Sequence, residues 1–199
     1  MGRLAFDYRT KFLFVIISSL LILLALILWG ETDYLVRYFT TVVTLLLFLF
    51  VDWKWDINYR RRHYAYVLIM AIGGIIMTPL YFVYAWYDKA LHLIFPFFLF
   101  FLVHYLVSKY TKSFRERIII SVIATFALTV LFEVGEYVVD LLFGWKLRGV
   151  FIRNFQSTQE YDVFLGRTID TILDLIYNIF SIFVGVFTIY FAPKRSKFI

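Results

Sequence analysis

The sequence predicts an all-α polytopic membrane protein, a bundle of six transmembrane helices. Of its 199 residues, 62% are hydrophobic and 17% are charged, an apolar content well above that of soluble domains. The apolar residues form runs long enough to cross a hydrocarbon core of about 30 Å. Lipid offers the backbone no hydrogen-bond partners, so these runs must be helical, and the turn signals are too widely spaced for barrel strands. We therefore predict a single integral membrane domain over residues 1–199.

The six helices can be justified in order along the chain. The run after Lys11 reaches Trp29 with no small-residue cleavage site behind it, so we expect the first helix to remain as an anchor. The second run is the shortest. The third contains Gly73, Gly74 and Pro79, which indicate close helix packing and a kink. The predicted helices cover residues 12–29, 35–52, 64–84, 88–107, 117–142 and 169–192.

One long connection, residues 143–168, is too polar to span the membrane. It contains several glycines, and the stretch 154–162 at its centre is polar. We predict an external loop that lies partly on the membrane surface.

The distribution of basic residues predicts the orientation. If the N terminus is inside, most of the 20 lysine and arginine residues fall in cytoplasmic segments, as the positive-inside rule requires. Both termini are then cytoplasmic in a plasma-membrane protein. The formal charge of +6 needs no nucleic-acid partner, because the cluster Arg60–Arg62 is placed to meet anionic lipid headgroups. Membrane lipids are the expected partners, and the sequence sets no oligomeric state.

Ionisable residues recur at one depth of this apolar chain. With the N terminus inside, the fourth and sixth helices begin at the outer surface and the fifth ends there. Each helix carries its polar residues at spacings of three or four, so each presents one polar stripe. An ionisable group in the bilayer is costly unless it faces a partner, a cavity or an ion, so we predict one shared site in the outer leaflet. Its members are Asp88, His92, Glu133, Glu136, Asp140, Asp170, Asp174 and Asn178.

Crowded carboxylates either share protons or hold a cation. Oxygen ligands with one imidazole suit Mg²⁺, Mn²⁺ or Zn²⁺. We therefore expect His92, Glu136 and Asp174 to be metal ligands, with Glu133 as general base and His92 also in the catalytic group. Pro96 cannot donate to the carbonyl of His92, which leaves that oxygen free near the site.

The remaining polar residues are assigned supporting roles, and three of them have a structural alternative. Asp88 and Asp170 could instead cap their helices, and Asp140 could reach the headgroups. The whole group could also be a structural ion-pair cluster with Lys89 or Arg167. The supporting residues are Asp88, Asp140, Asp170, Asn178 and Arg167.

These motifs resemble two families of membrane proteins. Asp88-Lys89-x-x-His92, Glu133-x-x-Glu136 and the Asp170/Asp174 pair are similar to the YjdF-like family. The Gly-Arg pair before the last helix and Asn178 are closer to the related VanZ-like proteins. Ile169 departs from a tryptophan usual in the YjdF-like motif, and Ser181 stands where a glycine is common. The resemblance spans about residues 85–190, and the VanZ-like part implies a link to the cell envelope without a defined reaction.

Two classes of function stay open from the sequence. The first is a metal-dependent hydrolase or transferase acting on a lipid or lipid-linked envelope molecule, with the cation activating water or clamping phosphate. The second is non-enzymatic, either proton or cation transport or binding of a lipid or antibiotic. The sequence contains no H-E-x-x-H motif, no G-x-S-x-G motif and no cysteine, so no nucleophile motif decides between the two.

Overall fold

A computed structural model describes residues 7–29, 34–144, 149–153 and 161–191. Five helices in these ranges are long and apolar enough to cross a membrane. The predicted all-α polytopic fold is confirmed, but the count of six long spans was wrong. The elements are α1 (Tyr8–Trp29), α2 (Tyr34–Lys54), α3 (Arg61–Ala71), α4 (Tyr87–Val107), α5 (Phe114–Phe143), β1 (Val150–Arg153), β2 (Tyr161–Leu165) and α6 (Arg167–Phe191).

The third predicted helix, 64–84, is broken into three pieces. The helix α3 ends at Ala71, a π-helical turn covers Ile72–Ile76, and a 3₁₀ turn covers Thr78–Phe82. Pro79 accounts for the second break, because it has no N–H to give to the carbonyl of Ile75. The Thr78 hydroxyl donates to that carbonyl at 2.7 Å instead. This substitution satisfies the backbone but ends the regular helix.

Contacts divide the chain between Thr78 and Pro79 into two compact units. The first unit contains α1, α2, α3 and the π-helical turn, with Ile22, Leu26 and Ile76 in its apolar core. It also contains a fully buried ion pair, in which Lys11 Nζ lies 2.7 Å from Asp52 Oδ2. Tyr64 donates its hydroxyl hydrogen to the same carboxylate at 2.7 Å, and the Tyr59 N–H donates at 3.0 Å. Both oxygens of the buried Asp52 carboxylate therefore accept hydrogen bonds, which offset part of the cost of burying its charge.

The second unit packs α4 against both α5 and α6, and it carries the residues of the predicted site. Phe100, Ile182 and Ile189 form its apolar core. A Cβ added to Gly185 would lie 2.6 Å from Phe100 Cδ1, so glycine permits the close approach of α6 to α4. The Ser181 hydroxyl donates to the carbonyl of Leu93 at 2.5 Å and ties the same two helices together.

The predicted external loop, 143–168, contains regular structure. The strands β1 and β2 pair as an antiparallel hairpin, with Arg153 opposite Tyr161, while residues 145–148 and 154–160 lie outside the described ranges. Helix α5 ends with Gly144 in the left-handed conformation at φ +65°, and the Gly144 N–H donates to Asp140 O at 2.9 Å, a common helix ending. The hairpin then leads directly into α6 through Gly166.

Candidate functional site

Three helices of the second unit deliver polar side chains to one buried region. Helix α4 supplies Asp88, Lys89 and His92 from its first two turns. Helix α5 supplies Glu133, and α6 supplies the remaining residues. None of the group is more than 8% exposed, so each charge needs a partner inside the protein. The full group is Asp88, Lys89, His92, Glu133, Asp170, Asp174 and Asn178.

Lys89 lies at the centre of the three aspartates. Its Nζ atom is 2.7 Å from Asp88 Oδ2, 2.5 Å from Asp170 Oδ1 and 2.5 Å from Asp174 Oδ1. An ammonium group has three N–H donors, and here each has a carboxylate acceptor. Lys89 therefore links the start of α4 to the start of α6 through charge-assisted hydrogen bonds.

His92 occupies the other side of the aspartates. Its Nε2 atom is 3.5 Å from Asp88 Oδ1 and 3.6 Å from Asp174 Oδ1. Its Nδ1 atom is 3.1 Å from Asn178 Oδ1 and 3.5 Å from Glu133 Oε1. If Nδ1 carries the hydrogen, it donates to Asn178, and the lone pair of Nε2 points toward the two aspartates. A ligating histidine is usually oriented in this way by a second hydrogen bond.

Asp170 connects this region to the hairpin. Its Oδ2 atom accepts from the Gly149 N–H at 2.6 Å, while Oδ1 binds Lys89. The Gly149 carbonyl in turn accepts from the Tyr81 hydroxyl at 2.7 Å. Gly149 has φ +92° and a Cβ there would lie 3.0 Å from Leu165 O, so only glycine fits this backbone without strain. The start of the hairpin is thus anchored to the site.

Asp140 and Arg167 form a separate pair. Arg167 Nη2 lies 3.7 Å from Asp140 Oδ2, and the arginine side chain is 57% exposed. The Asp140 side chain is only 4% exposed, so one end of this pair is buried. Glu136, which we predicted as a metal ligand, is half-buried on α5. The atoms that converge most closely belong to other residues.

Within the described ranges, Asp88, His92 and Asp174 form a group that could hold a metal ion. One ligand atom from each lies within 4.8 Å of the other two. This candidate group contains His92 and Asp174, which we predicted as ligands, and it contains Asp88 rather than Glu136. The donor set of two carboxylates and one imidazole fits Zn²⁺ or Mn²⁺.

The charges of the group do not cancel. The group contains four carboxylates, those of Asp88, Glu133, Asp170 and Asp174, and one ammonium group, that of Lys89. Lys89 can balance one negative charge. The others must be offset by protons or by a cation, because uncompensated buried charges are too costly.

Lys89 is the central residue that the sequence analysis had considered only as a structural ion-pair partner. The sequence did contain an indication of this role, because a lysine beside an aspartate in an apolar helix needs hydrogen-bond acceptors inside the protein. The role of Gly149 could not be predicted in this way, because Gly149 and Asp170 are 21 residues apart in the sequence. Asp88, Asp170 and Asn178, predicted as supporting residues, all lie in the group.

The fold and this buried group define a multi-pass membrane protein with an acidic and histidine cluster that could hold a metal. Residues 11–195 match the family described as "Predicted membrane protein (DUF2238)". The match covers most of the chain, so the chain belongs to this family. No curated protein and no solved structure matches it.

Proposed function

We propose that this protein binds one divalent cation at Asp88, His92 and Asp174 and uses it as a hydrolase or transferase on a lipid-type molecule of the cell envelope. The main support for this proposal is the distance between His92 Nε2 and the two aspartates. Its Nε2 atom is 3.5 and 3.6 Å from the nearest aspartate oxygens, beyond the usual hydrogen-bond range of about 2.7–3.2 Å. Two ligands that are each about 2.1 Å from a tetrahedral ion are about 3.4 Å apart. The separations fit ligands of one ion better than hydrogen bonds.

Glu133 is suited to move a proton at such a site. Its Oε1 atom is buried, and within the described ranges it has no hydrogen-bond partner. It lies 3.5 Å from His92 Nδ1, on the side of the imidazole away from the aspartates. A bound cation activates water and polarises a phosphoryl or carbonyl oxygen. Three protein ligands leave a coordination position for water or substrate, and Glu133 is the candidate general base.

The depth of the site favours a substrate with its reactive group at the headgroup level. Asp88 lies in the first turn of α4, and Asp170 lies in the first turn of α6. At a rise of 1.5 Å per residue, His92 is about 8 Å from the start of α4. That depth matches the boundary between headgroups and acyl chains, where a phosphate or ester of a lipid lies. The resemblance to VanZ-like proteins supports an envelope lipid by analogy only.

Metal analysis of purified protein tests the first half of this proposal. Wild-type protein dialysed against Zn²⁺ or Mn²⁺ should retain about one equivalent, because the three ligands form one site. Asp88→Asn and Asp174→Asn should each lose it. Asp140→Asn is the matched control, since it removes a buried carboxylate of α5 outside the group. Wild-type protein that retains no ion would overturn the proposed site.

An activity assay is needed to test the second half of the proposal, the hydrolase or transferase reaction. Metal-loaded protein in nanodiscs should release phosphate or headgroup from a phospholipid or a lipid-linked phosphate. Glu133→Gln should retain the metal and lose activity by a factor of about 10²–10⁴, the usual contribution of a general base. Equal activity in this variant would remove Glu133 from the mechanism.

One observation favours a second, non-enzymatic function. Lys89 already binds all three aspartates, so the cluster has a cation without any metal. In that case the remaining acids would share protons and serve proton movement or the binding of a cationic ligand. Absence of retained metal together with normal folding would favour this alternative.

A further inference from the structure

One flank of α5 lies between the polar site and the lipid. Phe132 and Glu136 are four residues apart, so they lie above one another on this helix, beside the buried Glu133. The Phe132 side chain is 55% exposed. Helix α5 is long and apolar enough to cross a membrane, and Phe132 is about 16 Å from its end at Phe143. The exposed part of Phe132 therefore faces lipid.

Phe132 separates His92 from the lipid on this side. The two rings are in edge-to-face contact, with their centroids 6.4 Å apart and an interplanar angle of 65°. Phe132 thus contacts the imidazole on one side and the bilayer on the other. His92 and Glu133 each keep 7% of their surface exposed, so neither is completely sealed. A single aromatic ring is the barrier between the imidazole and the acyl chains.

The Phe132 ring can move away from His92. Side chains change between staggered rotamers by rotation about the Cα–Cβ bond, and more than half of this side chain is outside the protein. A ring that turns outward displaces only mobile acyl chains. This rotation opens a path to His92 and Glu133 without a change of the backbone, so the path needs no preformed cavity.

Glu136 gives the same flank a polar group. Ionisable side chains in membrane-spanning helices almost always face the interior of the bundle or a water-filled cavity, but Glu136 is only half-buried. Its Cα–Cβ bond is tilted toward the start of α5, which brings its carboxyl group toward the level of Phe132. A carboxyl group at this position is suited to contact the polar headgroup of a lipid.

We propose that a lipid headgroup reaches the site from the bilayer through this flank of α5, and that Phe132 opens and closes the route. The acyl chains stay in the bilayer while the headgroup enters, so the site takes membrane-resident lipids rather than water-soluble molecules. This inference deepens the proposed function and rests on it for the role of the lipid as substrate. Access through the flank depends on neither a metal nor a reaction.

Two carbodiimides test the route in protein reconstituted into nanodiscs at mildly acidic pH. Dicyclohexylcarbodiimide partitions into lipid, whereas ethyl-dimethylaminopropyl-carbodiimide stays in water. Both convert a protonated carboxyl group into a stable N-acylurea, which mass spectrometry locates. The lipid-soluble reagent should label Glu133 of the wild-type protein, and the water-soluble reagent should label it far more slowly. Phe132→Ala should raise the rate of labelling by the lipid-soluble reagent several-fold, and Phe132→Trp should lower it.

Three controls separate the route from a general loosening of the fold. Glu136 is already partly exposed, so the lipid-soluble reagent should label it at a similar rate in all these proteins. Phe183→Ala makes the matched change at a phenylalanine of α6 that is 67% exposed, and it should leave the labelling of Glu133 unchanged. Asp52 is fully buried in the first unit and should stay unlabelled in every folded variant.

The route is wrong if Glu133 of folded Phe132→Ala is labelled no faster than in the wild type. If the alanine variant does not fold, the tryptophan variant decides, and an unchanged rate overturns the proposal. Faster labelling of Glu133 by the water-soluble reagent would place the entrance on the aqueous side and would also overturn it. A protein that retains its metal but shows no access through this flank would lose the route and keep the proposed function.

Discussion

Lys89 Nζ lies 2.5 Å from Asp174 Oδ1 and so joins the first turn of α4 to the second turn of α6. The same ammonium binds Asp170, one turn earlier on α6. Lys89 therefore holds two carboxylates of one helix apart from each other while it keeps both near α4. Their positions relative to His92 depend on this contact.

Replacement of Lys89 should be strongly destabilising. Lys89→Met keeps the length of the side chain but leaves three buried carboxylates without their cation, and removal of one partner of a buried pair costs about 3–5 kcal/mol. We expect a correspondingly lower melting temperature in detergent. Lys112→Met, at an exposed lysine, is the control. Equal melting temperatures for the two variants would show that Lys89 does not hold the helices together.

The class of fold and most residues of the buried group were predictable, because the cost of charge in lipid is large and local. Asp88, His92 and Asp174 stand out in an apolar sequence for that reason. Which of them converge was not predictable. Spacing gives the face of each helix but not the rotation of one helix against another, so Glu136 and Asp88 could not be ranked as ligands. The break at Pro79 was predicted only as a kink, because the Thr78 hydroxyl that replaces the missing N–H is a structural detail.

Gly149 should tolerate no side chain. Its φ of +92° is unfavourable for other residues, and a new Cβ would lie 3.0 Å from Leu165 O and 3.2 Å from the Phe151 ring. Gly149→Ala should cost about 1–3 kcal/mol and weaken the N–H contact to Asp170. Gly166→Ala is the control, since nothing lies within 4 Å of its Cβ position. Similar unfolding curves for both variants would argue against this constraint.

His63 should make the first unit sensitive to acid. Burial, followed by the charges of Arg62, Arg60 and Lys11, lowers the pKa of His63 from 6.5 to about 3, and its Nδ1 accepts from the Arg60 N–H at 2.9 Å. Between pH 6.5 and pH 3, His63 is therefore protonated in the unfolded chain but neutral in the folded chain. The stability present above pH 6.5 should fall as the pH drops toward 3, by about 2 kcal/mol at pH 5. His63→Gln keeps an acceptor and cannot titrate. Its loss of stability between pH 7 and pH 5 should be smaller than that of the wild type.

The distribution of basic residues predicts that residues 54–62 and 109–113 are cytoplasmic and that the hairpin strand 161–165 is external. The chain has no cysteine, so single-cysteine variants can be made without a background. Lys54→Cys and Lys112→Cys should react with an impermeant thiol reagent only after the membrane is opened. Val163→Cys should react in intact cells. The reverse pattern would place the candidate site in the inner leaflet.

The thermal response to a chelator should distinguish a metal site from an ion cluster around Lys89. An ion that binds only the folded protein stabilises it by mass action, by about 2.7 kcal/mol at a concentration of 100 times the dissociation constant. A chelator should therefore lower the melting temperature of wild-type protein, and added Zn²⁺ or Mn²⁺ should restore it. Asp174→Asn removes a ligand and should respond to neither.

Asp140→Asn should respond to the chelator like the wild type, because Asp140 pairs with Arg167 rather than with His92. This control separates loss of a ligand from loss of any buried carboxylate. If the wild-type curve is the same with and without chelator and no ion is detected, the cluster contains no metal. His92 would then be held near the aspartates by charge and by Asn178, and the acids would share protons among themselves.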